Sequence, residues 1–154
     1  MGCALKQNLS EDAAARAAAI RNKAAARAAA IRNKAAARAA AIRNKAAARA
    51  AAIRNKNDAF RKSFSGGRVL LTPGITNLSV DHQQAVISAV QAFADFSPDN
   101  DPYGEHDFGA VTLEDAVFLW KIDYYDLDLQ FGSSDPADDN VTCRVLTVMR
   151  ADEY

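Results

Sequence analysis

The chain reads as an α+β protein: a long N-terminal alanine-rich α-helix followed by a small domain ordered helix, strand, helix, β-hairpin, helix. Three observations predict this class. A unit of three alanines, arginine, three alanines, isoleucine, arginine, asparagine and lysine fills residues 13–23 and recurs unchanged to Lys56. Phe118, Trp120, Ile122 and Tyr124 recur at every second residue, the period that places them on one face of a strand. Gly66-Gly67, Pro73-Gly74 and the stretch from Ser97 to Gly104 punctuate the remaining apolar runs at the short intervals of a small mixed domain.

The first helix follows from the repeat. Alanine is the best helix former, and at 3.6 residues per turn three turns consume about 10.8 residues, so each copy lengthens a helix by roughly 16.5 Å while barely rotating its faces. Ile20, Ile31, Ile42 and Ile53 therefore share a side. Phe64 continues that register, and Phe60 lies one turn before it, so the array should extend a helix whose end docks through Phe60 and Phe64. Ser10 is the expected N-cap with Glu11 and Asp12 in the first turn, and Ser65-Gly66-Gly67 the stop. One isoleucine per three turns is too sparse for a heptad seam; an eleven-residue period favours a right-handed coiled coil if copies associate. Residues 1–56 are read as one domain and residues 57–154 as the other.

Arg68 to Thr72 reads as a short strand closed by Pro73-Gly74. Ser79 caps the next helix, whose Val86, Ile87, Val90 and Phe93 fall at helical spacing through Phe96. From Phe108 to Asp126 a hairpin is expected to turn near Glu114-Asp115, with Phe118, Trp120, Ile122 and Tyr124 facing the core. For the last segment, Asp135-Pro136 as N-cap and first helical residue, with Asp138 and Asp139 in the first turn and Arg150 late, favours a helix; the alternation of Val141, Cys143, Val145, Thr147 and Met149 is the competing strand signal.

Charge is divided as sharply as structure. Residues 1–56 hold thirteen Lys and Arg against Glu11 and Asp12, whereas residues 57–154 hold six against seventeen acids, so a formal net charge of zero hides halves of opposite sign. Such fields attract each other, a second copy, or a foreign polyelectrolyte. Two distant cysteines, Cys3 and Cys143, suggest neither a disulfide framework nor a zinc site. With no apolar run long enough for a signal peptide or a membrane span, a cytoplasmic location and no membrane partner are expected. Met1-Gly2-Cys3 invites N-terminal acylation, but Lys6 stands where that pattern wants Ser or Thr.

The string from Asn100 to Gly109, together with Asn57-Asp58-Ala59-Phe60-Arg61, Trp120 to Asp126, Asp135-Pro136-Ala137-Asp138, Arg144 to Met149 and Glu153-Tyr154, resembles the bacterial domain-of-unknown-function family 3768. The resemblance covers about Ile53 to Tyr154 and implies no activity. Members of that family are typically small free-standing proteins, and the alanine-rich array is not part of it.

Within that string Asp99, Asp101, Glu105, His106 and Asp107 crowd one loop and are the candidate ligands for a divalent cation. The spacing is not that of a standard calcium loop, because Tyr103 replaces an oxygen ligand and Ala110 stands where a bidentate Glu belongs. His106, Asp107 and Glu105 are the candidate catalytic residues of a metal-dependent hydrolase, though no nucleophile motif accompanies them. Otherwise no cofactor is expected. Tyr103 and Tyr125 are candidate protein-binding aromatics. In the array, Arg16, Arg21, Lys23, Arg27, Arg32, Lys34, Arg38, Arg43, Lys45, Arg49, Arg54 and Lys56 could bind phosphates or an acidic partner with low sequence specificity, or support self-association. The leading expectation is a non-enzymatic protein-binding or regulatory module; metal-dependent hydrolysis and non-specific nucleic-acid binding are the alternatives.

Overall fold

The computed structural model describes residues 2–154, with side chains from Glu11 onward. The cysteine of the Met1-Gly2-Cys3 acylation motif and the Ser10 side chain lie outside the described part. Two compact units are formed, Met1–Lys45 and Ala46–Tyr154. Helix α1, Gly2–Ser63, supplies the first unit and, from Ala46 onward, the opening element of the second. Since helix is already present at Gly2, Ser10 is inside it and is not its N-cap. The array that begins at Ala13 is a strong helix former, and the helix runs on from it through Ser10 to Gly2 without a cap at Ser10.

In the first unit the stripe isoleucines are solvent-exposed, Ile20 at 69% and Ile31 and Ile42 each at 70%. Ile53, the same residue of the same repeat in the second unit, is 0% exposed. Full burial of such a side chain stabilises by about 1.5–3 kcal/mol. Phe60 is buried beside it in sequence, Phe64 packs at the core margin, and Phe64 then turns into the left-handed region at φ 54° to leave the helix.

The second unit continues with β1 (Arg68–Leu71), α2 (Pro73–Thr76), α3 (Val80–Ala92), β2 (Phe108–Leu113), β3 (Ala116–Tyr125) and β4 (Cys143–Arg150), and a 3-10 turn at Ala151–Glu153. The fold class is thus α+β, as the sequence predicts. Pro73 does not merely end β1: it occupies the first turn of α2, where its missing N–H costs nothing. Ser79 accepts a hydrogen bond from His82 N and caps α3 as expected, and the hairpin turns at Glu114-Asp115.

The expected last helix is absent, and Cys143–Arg150 is a strand. β4 lies between β1, to which it runs parallel, and β3, to which it runs antiparallel, in a sheet ordered β1-β4-β3-β2. Alternation and β-branching prevail because β3 pairs the strand along its whole length and β1 pairs Val145–Val148 on the other side. Asp135-Pro136 starts a turn instead: Asp135 Oδ1 accepts from Ala137 N at 3.1 Å and Asp138 Oδ1 from Asn140 N at 2.9 Å.

One sheet face carries Val69, Leu71, Val111, Phe118, Trp120, Ile122, Leu146 and Val148 against Phe60, Ile75, Val86 and Val90, so the predicted aromatic face of β3 is the core. On the other face Arg68, Leu70, Lys121, Tyr125, Thr147 and Tyr154 rim a groove of about 750 Å³ floored by Val145 and Met149.

Candidate functional site

The polar residues of the second unit converge where the last turns of α1 meet the loops 97–107 and 133–142. Asn57 and Arg61 are buried on the face of α1 that also carries Ile53, Phe60 and Phe64, at helical spacing. A buried polar group must find partners, and Asn57 does so fully. Its Nδ2 donates to Glu105 O at 2.8 Å and to the Tyr124 hydroxyl at 2.7 Å, while its Oδ1 accepts from Arg144 Nε at 3.0 Å. Arg144, on β4, reaches onward to Asp139 Oδ1 at 2.6 Å and to Pro136 O. Helix, hairpin, last strand and both loops are thereby tied at one asparagine.

Arg61 does the same for α3. Its Nη1 donates to Val90 O at 2.7 Å and Gln91 O at 2.9 Å, carbonyls at the C-terminal end of α3 where a cation also meets the negative end of the helix dipole. Its Nη2 pairs with Asp58 Oδ1 at 3.1 Å, and the guanidinium lies 5.6 Å from the Phe96 ring and 5.2 Å from the Trp120 ring. The His106 ring is stacked on Phe96, 3.6 Å between centroids and 3° from parallel.

His106 sits at φ 53°, a left-handed conformation uncommon for a residue with a side chain. Both ring nitrogens face carboxylates: Nδ1 lies 3.0 Å from Asp58 Oδ2 and Nε2 lies 3.7 Å from Asp101 Oδ2. Asp101 is buried, and its Oδ1 accepts from the backbone N–H groups of Glu105 at 2.9 Å and His106 at 3.2 Å. Burial alone would push the Asp58 carboxyl up, but the hydrogen bonds from His106 and Arg61 outweigh it and hold the carboxyl below its usual range. Asp58, His106 and Asp101 form a brace between α1 and the loop.

Of the five predicted cation ligands, the structure brings Asp101 and His106 together and makes Glu105 and Asp107 their chain neighbours. Asp99 is exposed in the turn, with no hydrogen bond or ion pair to them. Among the described residues no group of three or more His, Cys, Asp and Glu is placed to hold a metal ion. Glu105 and Asp107 are nonetheless chemically distinctive. Burial first, then the charge of Asp107, raises the Glu105 carboxyl; burial, then Asp101 and Asp123, raises that of Asp107. The Tyr124 hydroxyl, 3.3 Å from Glu105 Oε2, is likewise pushed well above its usual range, chiefly by burial. Excess negative charge is concentrated here without an ion pair at Glu105 or Asp107 among the described residues.

The fourth repeat copy is held by the second loop. Arg49 pairs with Asp135 at 3.0 Å and Lys56 with Asp139. Asp139 is held low by its hydrogen bonds to Lys56 and Arg144, and Asp135 by the Ala137 amide and then Arg49. Ala46, Ala50, Arg49, Pro102, Tyr103 and Glu105 line a cleft of about 360 Å³. Tyr103, 78% exposed, stands at this cleft, whereas Tyr125 lies in the groove on the opposite face of the sheet. The two aromatics proposed for protein binding thus belong to separate surfaces. Sequence reasoning did not single out Asn57, Asp58, Arg61 or Arg144 as site residues. For Asn57 and Arg61 the available signal was a polar residue at a core-facing position of a helix, at i+4 and i+8 from Ile53.

A family model described as "Protein of unknown function (DUF3768)" matches residues 71–153. No curated protein and no solved structure matches the chain.

Proposed function

The chain belongs to the DUF3768 family, and from that premise we propose that Ala46–Tyr154 is a non-enzymatic binding module whose acid-rich loops receive a basic protein segment. The observation that carries this reading is the way the module already holds one such segment. Residues 46–56 are a basic helical repeat, and they are seated by Arg49–Asp135, Lys56–Asp139 and the burial of Ile53. Further carboxylates remain beside that seat: Glu105 lines the cleft with Ala46 and Arg49, Asp138 lies in the same turn as Asp135 and Asp139, and neither makes an ion pair among the described residues.

Burial first, and then repulsion from neighbouring acids, raises the Glu105 and Asp107 carboxyls, and a cation brought to them relieves the second of these. Tyr103 supplies an exposed aromatic next to them, the residue type that anchors interfaces. The brace around His106 supports the same reading, since it is spent on holding the loop in place. Cys143 is a free thiol, in keeping with a cytoplasmic setting.

The test is a titration of the full chain with a labelled lysine- and arginine-rich helical peptide, followed by fluorescence anisotropy at rising salt. Binding should weaken by at least tenfold as exposed charges are screened, and Tyr103→Ala should weaken it about five- to thirtyfold. Failure to bind any basic peptide at low salt, or binding indifferent to salt, contradicts the proposal.

A further inference from the structure

We propose that the first unit is a double-stranded nucleic-acid-binding helix that grips phosphates through the row Lys23, Arg27, Lys34, Arg38 and Lys45. The proposal is independent of the reading above, because it concerns only residues of Met1–Lys45.

The repeat provides its own control. In the fourth copy the first arginine and the lysine are both taken by carboxylates, Asp135 and Asp139, and the isoleucine is buried. In the preceding copies the same side chains are exposed, and the only ion pair made by a cation of the first unit, among the described residues, is Arg16–Asp12 at 2.9 Å. Residues 13–45 contain no acid at all, so nothing within them neutralises the row.

Geometry makes the row a line. Its members follow at alternating steps of four and seven residues, which places them within about 60° of one another around the helix and about 6 and 10.5 Å apart along it. Arg21, Arg32 and Arg43 lie well round on another side. A cation line of uniform pitch fits a polyanion of uniform pitch. Duplex DNA carries one charge per about 1.7 Å of axis, and each phosphate neutralised releases condensed counterions. Alanine stabilises the helix on its own, so the cations are presented with little ordering cost.

Other polyanions fit less well. Protein interfaces need an apolar core, and one exposed isoleucine per roughly 16.5 Å does not supply it. Single strands are held by stacking on aromatic side chains, and residues 11–45 have none. With no group placed to read base edges specifically, binding should be indifferent to sequence.

The experiment compares the full chain with the quintuple variant Lys23→Gln, Arg27→Gln, Lys34→Gln, Arg38→Gln, Lys45→Gln, glutamine being itself a good helix former. Each is titrated against two unrelated DNA duplexes of equal length at several salt concentrations, with circular dichroism confirming equal helix content. Equal affinity for both duplexes, with a log–log salt slope of about −4 or steeper that flattens by at least 3 in the variant, supports the proposal. Absence of binding at low salt, strong preference for one duplex, or an unchanged slope in the variant overturns it. So does a full chain whose light-scattering mass grows at low salt while the DNA remains free, which assigns the row to a second copy of the chain.

Discussion

At the scale of single residues, the second unit keeps several ionisable groups out of full solvation, and their balance sets its pH response. Asp107, like Glu105, has a raised carboxyl. Burial, then repulsion from Asp101 and Asp123, raises its carboxyl above the unfolded value, so the folded state binds that proton more tightly than the unfolded chain. The group therefore favours folding below the unfolded carboxyl range and opposes it increasingly as pH rises through its folded value. Asp107→Asn should stabilise the unit at neutral pH by up to about 1 kcal/mol, the scale of a partly solvated charge, and give no gain at pH 3. Urea unfolding at the two pH values checks this, and a gain of equal size at both would refute the assignment. Asp58 has the opposite sign: its lowered carboxyl contributes stability above the unfolded value that is lost on acidification. Crowding of Asp101, Glu105, His106 and Asp107 was legible in the sequence. The partner that gives His106 its place, Asp58, was not, because 48 residues separate the two and no local pattern links them.

At the scale of elements, local sequence told the truth where periodicity and packing agree. The repeat is helix, Ser79 caps a helix, and Phe118, Trp120, Ile122 and Tyr124 form the inner face of a strand because each pattern is also the pattern of burial. Residues 135–150 failed because two local signals conflicted. Asp135-Pro136 has the chemistry of a helix start, yet β4 has partners on both sides, and backbone pairing with β1 and β3 exceeds what a helix start contributes. No part of that competition is local. The central position of β4 has a measurable consequence. In native-state hydrogen exchange its amides from Val145 to Val148 should be among the slowest in the chain, while the outward amides of edge strand β2 exchange at least tenfold faster. Exchange of β4 as fast as β2 would deny its place between two strands.

At the scale of the whole molecule, the organising fact is that one peptide sequence occurs four times in two environments. Helix propensity is the same in every copy, so any difference between copies arises from what surrounds them. The fourth belongs to a packed unit that buries its isoleucine and pairs two of its three cations, Arg49 and Lys56; its predecessors keep theirs in solvent. Repetition was visible in the sequence, and the continuation of its register to Phe60 and Phe64 marked the docked end; the ion pairs of Arg49 and Lys56 were not visible, since identical residues carry no mark of their distant partners. Trp120, the single tryptophan, is buried in the second unit and reports its unfolding. The most direct measurement is therefore urea unfolding followed by Trp120 fluorescence for the matched substitutions Ile53→Ala and Ile42→Ala. Ile53→Ala should cost about 2–5 kcal/mol through lost burial and the cavity left behind, and Ile42→Ala no more than about 0.5 kcal/mol. Equal losses at the two positions, or none at Ile53, would contradict the division of one repeat into a docked copy and free ones.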